Sequence, residues 1–195
     1  MQVAVVKYNA GNIYSVMNAL RRLGVEPLLT DDAQQLRNAD RVLFPGQGEA
    51  LGAMTYLREH KLDEVIRSLT QPVLGICIGQ QLLCSHSEEG DVDCLGIFNV
   101  PVKRFSPVQH EDKVPCMGWN KLYNTKSALM EKVESQYVYF VHSYYVPLCE
   151  ETIAEANYIQ PYSAALHKDN FYATQFHPEK SGCVGERIIK NFLEL

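Results

Sequence analysis

The chain has 195 residues, 46% of them hydrophobic and 21% charged, with a formal net charge of -5. That length fits one domain, 1–195, and the composition can bury a sizeable core. The acidic balance and the lack of a dense Lys/Arg run exclude a nucleic-acid footprint, and no apolar run is long enough to span a membrane. In chain order, Met1 to Val6 has no basic leader region, so a cytoplasmic protein is expected, and Val3 to Val6 reads as a buried strand. Asn12 is placed to cap a helix whose apolar positions Ile13, Val16, Met17, Leu20 and Leu23 recur at helical spacing until Gly24. Glu26 to Leu29 predicts a second strand, Asp31 a short helix, and Arg41 to Phe44 a third strand. Gly52 to Leu69 predicts a helix with a break near His60, a surface histidine. This βαβ rhythm predicts an α/β fold with a parallel sheet covered on both faces. Ligands of such sheets bind beyond the carboxyl ends of the strands.

Pro72 to Leu83 is the stretch on which the rest turns. Its first half is a short apolar strand, its second half the start of a helix, and Cys77 stands at the join with Gly75 and Gly79 two residues to either side. Gly-x-Cys-x-Gly is the cysteine form of a nucleophile elbow. The glycines leave room where backbones crowd, and the helix N-terminus favours thiolate over thiol. The competing reading is a buried cysteine in a tight turn. The other five cysteines (Cys84, Cys94, Cys116, Cys149, Cys183) fit no zinc spacing and are expected as free thiols, mostly buried.

After the elbow helix, Ser87 to Gly90 predicts a turn, with Glu88 and Glu89 a pair of acids that a solvated turn alone would explain. Gly96 to Val100 and Val102 to Phe105 read as short strands. Trp119, the only tryptophan, is either core or, if exposed, interface. Tyr137 to Val146 is an aromatic-rich strand, followed by strands at Thr152 to Ala156 and Ser163 to His167. Asn170 turns the chain into Tyr172 to Phe176, and the last helix packs Ile188, Ile189, Phe192 and Leu193 inward. The strand ends at His177-Pro178-Glu179. Proline holds His177 extended, and residues two apart in an extended segment share a face. His177 and Glu179 can then act as base and orienter toward a nucleophile. His142 lacks a carboxylate two residues on and is not taken as the base.

These motifs, Gly75 to Gln81 with Phe176 to Glu179, resemble those of the class I glutamine amidotransferases. Pro45 to Glu49, Pro115 to Asn120 and Tyr139 to Tyr144 narrow the resemblance to the glutaminase subunits of imidazole glycerol phosphate synthases of histidine biosynthesis. It runs from the first strand to the last helix, one glutamine amidotransferase domain. It implies a flavodoxin-like three-layer sandwich with a small antiparallel addition. It implies glutamine as substrate, Cys77 as nucleophile, His177 as acid and base, and Glu179 as its orienter. An oxyanion hole is implied from the N–H groups of Gln47 and Ile78, with Gly48, Gln81, Glu89, Ser143 and Tyr144 holding glutamine. Gln47 stands where many amidotransferases have glycine. A side chain there makes a backbone flip more costly, so the loop is expected to rest in an unproductive state.

The resemblance further implies no metal or organic cofactor, and a partner: a cyclase subunit with a (β/α)₈ barrel, in a heterodimer. Asn12, Trp119, Asn120 and Lys180 are expected on the surface facing it. A related amidotransferase serving another acceptor, such as one for surface-sugar amidation, would carry the same active site.

Overall fold

A computed structural model describes all residues, Met1–Leu195. The first half alternates strands and helices: β1 (Val3–Val6), α1 (Ile13–Arg22), β2 (Leu28–Thr30), α2 (Ala33–Asn38), β3 (Arg41–Gly46), α3 (Ala50–Glu59), α4 (Leu62–Arg67), β4 (Val73–Cys77) and α5 (Ile78–Leu83). The second half is mostly strands: β5 (His86–Ser87), β6 (Val92–Asp93), β7 (Pro101–Arg104), β8 (Cys116–Lys121), β9 (Tyr137–His142), β10 (Tyr144–Tyr145), β11 (Thr152–Tyr158), β12 (Gln160–Lys168) and β13 (Phe171–Thr174), with α6 (Gly182–Glu194) closing the chain. Seven strands make the main sheet in the order β11-β12-β13-β4-β3-β1-β2. From β13 to β2 the neighbours run parallel, while β11 and β12 form an antiparallel edge. This is the α/β architecture the sequence implies. No helix is long and apolar enough to cross a membrane.

Successive side chains of a strand point to opposite faces, so a fully apolar strand needs cover on both. Val3 and Val5 of β1 join one apolar cluster with Ile13 and Leu20 of α1 and Ile188 and Phe192 of α6. Ala4 and Val6 join the other with Leu36, Met54, Leu57 and Leu83, from the helices of the opposite layer.

Five expectations need correction, each for a local reason. The segment His177-Pro178-Glu179 is not extended throughout: β13 ends at Thr174, His177 keeps extended angles (φ -98°, ψ 95°), and Pro178–Lys180 form a 3-10 turn, because the fixed φ of Pro178 suits the first position of a helical turn. β2 starts at Leu28 and not at Glu26, because Pro27 has no N–H to donate to a ladder. The helix expected from Gly52 begins at Ala50, where the Glu49 carboxylate accepts the Leu51 and Gly52 N–H groups; it breaks at Lys61, whose φ is 55°. Gly96 to Val100 is no strand. The N–H groups of Leu95, Gly96, Ile97 and Phe98 instead bond the carbonyls of Leu82, Cys84 and Leu83 at the end of α5, satisfying acceptors that a helix terminus leaves orphaned. The strand expected through Val146 divides at Ser143: β9 pairs with β8, and β10 leaves to pair with β7.

The site is positioned by three adjacent parallel strands. β3 and β13 flank β4, with Gly46 opposite Cys77 and Thr174 opposite Ile76. The segments after Gly46, Cys77 and Thr174 therefore emerge at one edge of the sheet.

Candidate active site

Cys77 sits at the β4–α5 junction with φ 56° and ψ -108°. A non-glycine residue in that region carries backbone strain, which here turns the side chain out of the strand. The two glycines of the elbow are steric necessities. A Cβ on Gly79 would overlap the carbonyl oxygen of Phe44, and one on Gly75 would press on the Gly79 backbone and Leu83. Gly46 is equally constrained, between the Tyr8 hydroxyl and Ile78. All six cysteines are free, four of them buried. Burial pushes the Cys84 thiol well up, Cys94 to about 12 and Cys116 to about 11.

His177 and Glu179 form a buried pair, His177 Nδ1 lying 2.7 Å from Glu179 Oε1. The other ring nitrogen, Nε2, is buried without a hydrogen-bond partner at rest, and Cys77 is the neighbouring group that can engage it. Burial pulls the imidazolium down, but the adjacent Cys77 and the hydrogen-bonded Glu179 carboxylate outweigh this and hold His177 at about 9. An imidazolium poised beside a sulfur and backed by a carboxylate can deliver a proton to a leaving group. His142 is the opposite case. Burial, reinforced by the charge of His177, pushes it down to about 4 against the bond its Nδ1–H donates to the Tyr144 carbonyl. It stays neutral and has no carboxylate partner.

Asn12 does not cap α1 through its side chain, contrary to the sequence reading. Its φ is 64°, outside the conformation of a capping residue, and no cap hydrogen bond forms. Its Nδ2 donates instead to Glu179 Oε1 at 2.6 Å, the same oxygen that takes His177. The long-range bond to a buried carboxylate outcompetes a local cap because charge-assisted bonds are stronger.

A cleft of about 360 Å³ opens in front of Cys77. Gln47, Gly48 and Ile78 line it together with Gln81, Glu89, His142, Ser143 and Tyr144. The substrate-contact residues expected from sequence thus come together around one space. The Gln47 carbonyl accepts the Gly11 N–H at 2.9 Å, which anchors the peptide between Gln47 and Gly48. Glu89 Oε2 accepts the Ala50 N–H at 3.0 Å, leaving its other oxygen for the cleft. Burial, aided by the charge of Glu49, raises the Glu89 carboxyl. No group of three or more His, Cys, Asp or Glu side chains is placed to share a metal ion.

Beside the cleft, the β8–β9 ribbon exposes Met117, Trp119 and Tyr137, at 65%, 57% and 57%. Trp119 packs edge-on against Tyr139, ring centroids 6.0 Å apart, and the Tyr139 carbonyl accepts the His177 N–H at 2.9 Å. Lys180 is exposed and makes no ion pair. Asn120 is half-buried, and its amide donates to the Asn157 carbonyl. Sequence reasoning missed Gln175, which is fully buried with its amide nitrogen 3.9 Å from Cys77 Sγ. The signal was available: Gln175 is two residues before His177, so it shares the face that His177 presents.

An elbow cysteine and a buried His–Glu pair brought together by neighbouring parallel strands place this molecule among amidotransferases. The class I glutamine amidotransferase model matches residues 4–195, and the chain belongs to that family. It is 64% identical over 196 residues to the imidazole glycerol phosphate synthase subunit HisH of Bacteroides thetaiotaomicron, both chains being covered in full. The subunit of the same name from Idiomarina loihiensis is 47% identical over 195 residues, covering 100% of this chain and 98% of that one. A solved glutamine amidotransferase superposes with a TM-score of 0.75 at 20% identity, over 98% of this chain and 97% of that one.

Proposed function

We propose that the chain is the glutaminase subunit of imidazole glycerol phosphate synthase. The Cys77 thiolate attacks the side-chain carboxamide carbon of glutamine, forming a C–S bond and a tetrahedral oxyanion. The N–H groups of Ile78 and Gln47 receive that oxyanion. His177 gives its proton to the leaving nitrogen, the C–N bond breaks, and ammonia departs. His177 then takes a proton from water, which opens the glutamyl thioester and releases glutamate. Glu179 keeps the imidazole oriented and favours its charged form. Gln81, Glu89 and the backbone at Ser143 and Tyr144 hold the amino-acid end of the substrate.

The observation that carries this reading is the register of β3, β4 and β13. It sets the Gln47 loop and the elbow cysteine on a single cleft, with the buried His177–Glu179 pair beside the cysteine. The ammonia passes to a cyclase subunit, a (β/α)₈ barrel forming a heterodimer with this chain. That subunit makes imidazole glycerol phosphate and an aminoimidazole carboxamide ribotide. The exposed Trp119 and Lys180 lie on the docking surface, and Asn12, which contacts Glu179, borders it. The test is reconstitution with the cyclase. Cys77→Ala should abolish glutamine-dependent synthesis and leave synthesis from added ammonium salt at alkaline pH intact. Loss of both, with the complex assembled, would refute the division of labour. Failure to assemble with or support any imidazole glycerol phosphate cyclase would move the chain to another acceptor.

A further inference from the structure

The side chains of Gln81 and Gln175 form a buried pair beside the nucleophile, 3% and 0% exposed. One backbone group fixes how both amides are turned. The Tyr144 carbonyl can only accept, and the Gln81 amide lies 3.0 Å from it, so that end of Gln81 is its NH₂. The same NH₂ is 3.0 Å from the Gln175 side chain, which must accept there through Oε1. The Gln175 NH₂ is thereby directed to the far side, 3.9 Å from Cys77 Sγ. Turning either amide over would set like groups face to face in a buried place.

Two consequences follow from that arrangement. Both N–H groups of Gln81 are engaged, so its carbonyl oxygen is the group left to the cleft it lines, an acceptor for the ammonium group of an amino acid. At the sulfur, two neighbours act in opposite senses. The Val141 carbonyl, 3.9 Å from Sγ, can bond only the protonated thiol. The Gln175 N–H can bond only a lone pair, and bonds a thiolate best.

We propose that Gln175 is a positioning residue that links substrate recognition to the nucleophile: it fixes the Gln81 carbonyl toward the cleft and supplies the Cys77 thiolate with an N–H donor. For its turnover arm the proposal rests on the glutaminase reading. Its labelling arm does not, since alkylation of Cys77 needs no glutamine.

The experiment compares wild type, Gln175→Glu and Gln175→Leu in the full chain. It follows iodoacetamide labelling of Cys77 against pH by peptide mapping, and glutamine turnover with the cyclase present. Gln175→Glu keeps the size and the acceptor toward Gln81 but puts a carboxylate oxygen against the sulfur. Its labelling midpoint should move up by about one pH unit or more. Its kcat should fall about tenfold or more while KM stays within about threefold. Gln175→Leu removes both ends, so kcat should fall and KM rise together. Gln175→Asn, which remains a neutral amide, withdraws the N–H by one methylene and should shift the labelling midpoint the same way by less. It serves if the charged variant does not fold. A folded Gln175→Glu or Gln175→Asn protein with the wild-type labelling profile and kcat overturns the proposal. A wild-type chain that labels normally yet fails to hydrolyse glutamine would sink the function and leave the Gln175 comparison standing.

Discussion

Replacing Glu179 with glutamine tests the charge relationship at the centre of the site. In the wild type, His177 is held at about 9 against an ordinary 6.5, by Cys77 and Glu179 working against burial. A raised pKa in the folded state means that folding and protonation favour each other. The contribution is complete below about pH 6.5 and is lost as pH rises through about 9, and its full size is about 3 kcal/mol. Cys77 and Glu179 share the upward push, so Glu179→Gln should remove about half, on the order of 1–2 kcal/mol. The buried thiols Cys84, Cys94 and Cys116 also weaken the fold at high pH, because they ionise more easily once unfolded, but they are common to both proteins and cancel in the difference. Urea unfolding of wild type and variant should show a stability gap that narrows by that 1–2 kcal/mol between pH 6.5 and about 9. In the same variant kcat should fall about a hundredfold to ten-thousandfold, because the imidazole loses its orienting charge. A gap that stays constant or widens over the window would mean that Glu179 does not support the charged imidazole, and the reasoning fails.

The elbow makes a packing prediction. Gly79→Ala forces a methyl group into the Phe44 carbonyl and should cost about 3 kcal/mol or more, read as a lower urea midpoint, or prevent soluble folding; wild-type stability would show that β3 and the elbow are less tightly apposed. The β8–β9 ribbon makes another. Trp119 leans on Tyr139, whose carbonyl holds the His177 backbone, so the exposed ribbon is one bond from His177. Trp119→Ala or Lys180→Ala should change how far the liganded cyclase stimulates glutamine turnover, by about tenfold, with complex formation measured alongside; equal stimulation in wild type and both variants would refute a signal through this surface. Finally, stimulation itself should exist. One oxyanion donor is worth about a hundredfold in rate, so turnover by the chain alone, with cyclase, and with cyclase plus its nucleotide substrate should rise in that order, and equal turnover in all three would show the Gln47 loop already competent at rest.

Much of this protein is written in short stretches of the chain. The Gly75-x-Cys77-x-Gly79 elbow was legible because its glycines answer a local crowding of backbones at a strand–helix turn. The pairing of His177 with Glu179 was foreseen, though not its geometry: His177 is extended, but Pro178–Lys180 form a 3-10 turn, and it is across that turn that the Glu179 carboxylate meets the ring. The alternation of strands and helices in the first half followed from periodicity. Elements went astray where a local pattern met a demand from elsewhere, as when the segment after Gly96 gave its N–H groups to the end of α5. Asn12 is the sharper case. Its sequence context fits a helix cap, yet its amide goes to Glu179, 167 residues away. Gln175 likewise took its meaning only from Tyr144 and Gln81, which fix which end of its amide faces the sulfur. Strand register placed Gly46 opposite Cys77 and brought β13 alongside; no local spacing encodes that, because it is decided by which apolar faces the helices of the two outer layers cover.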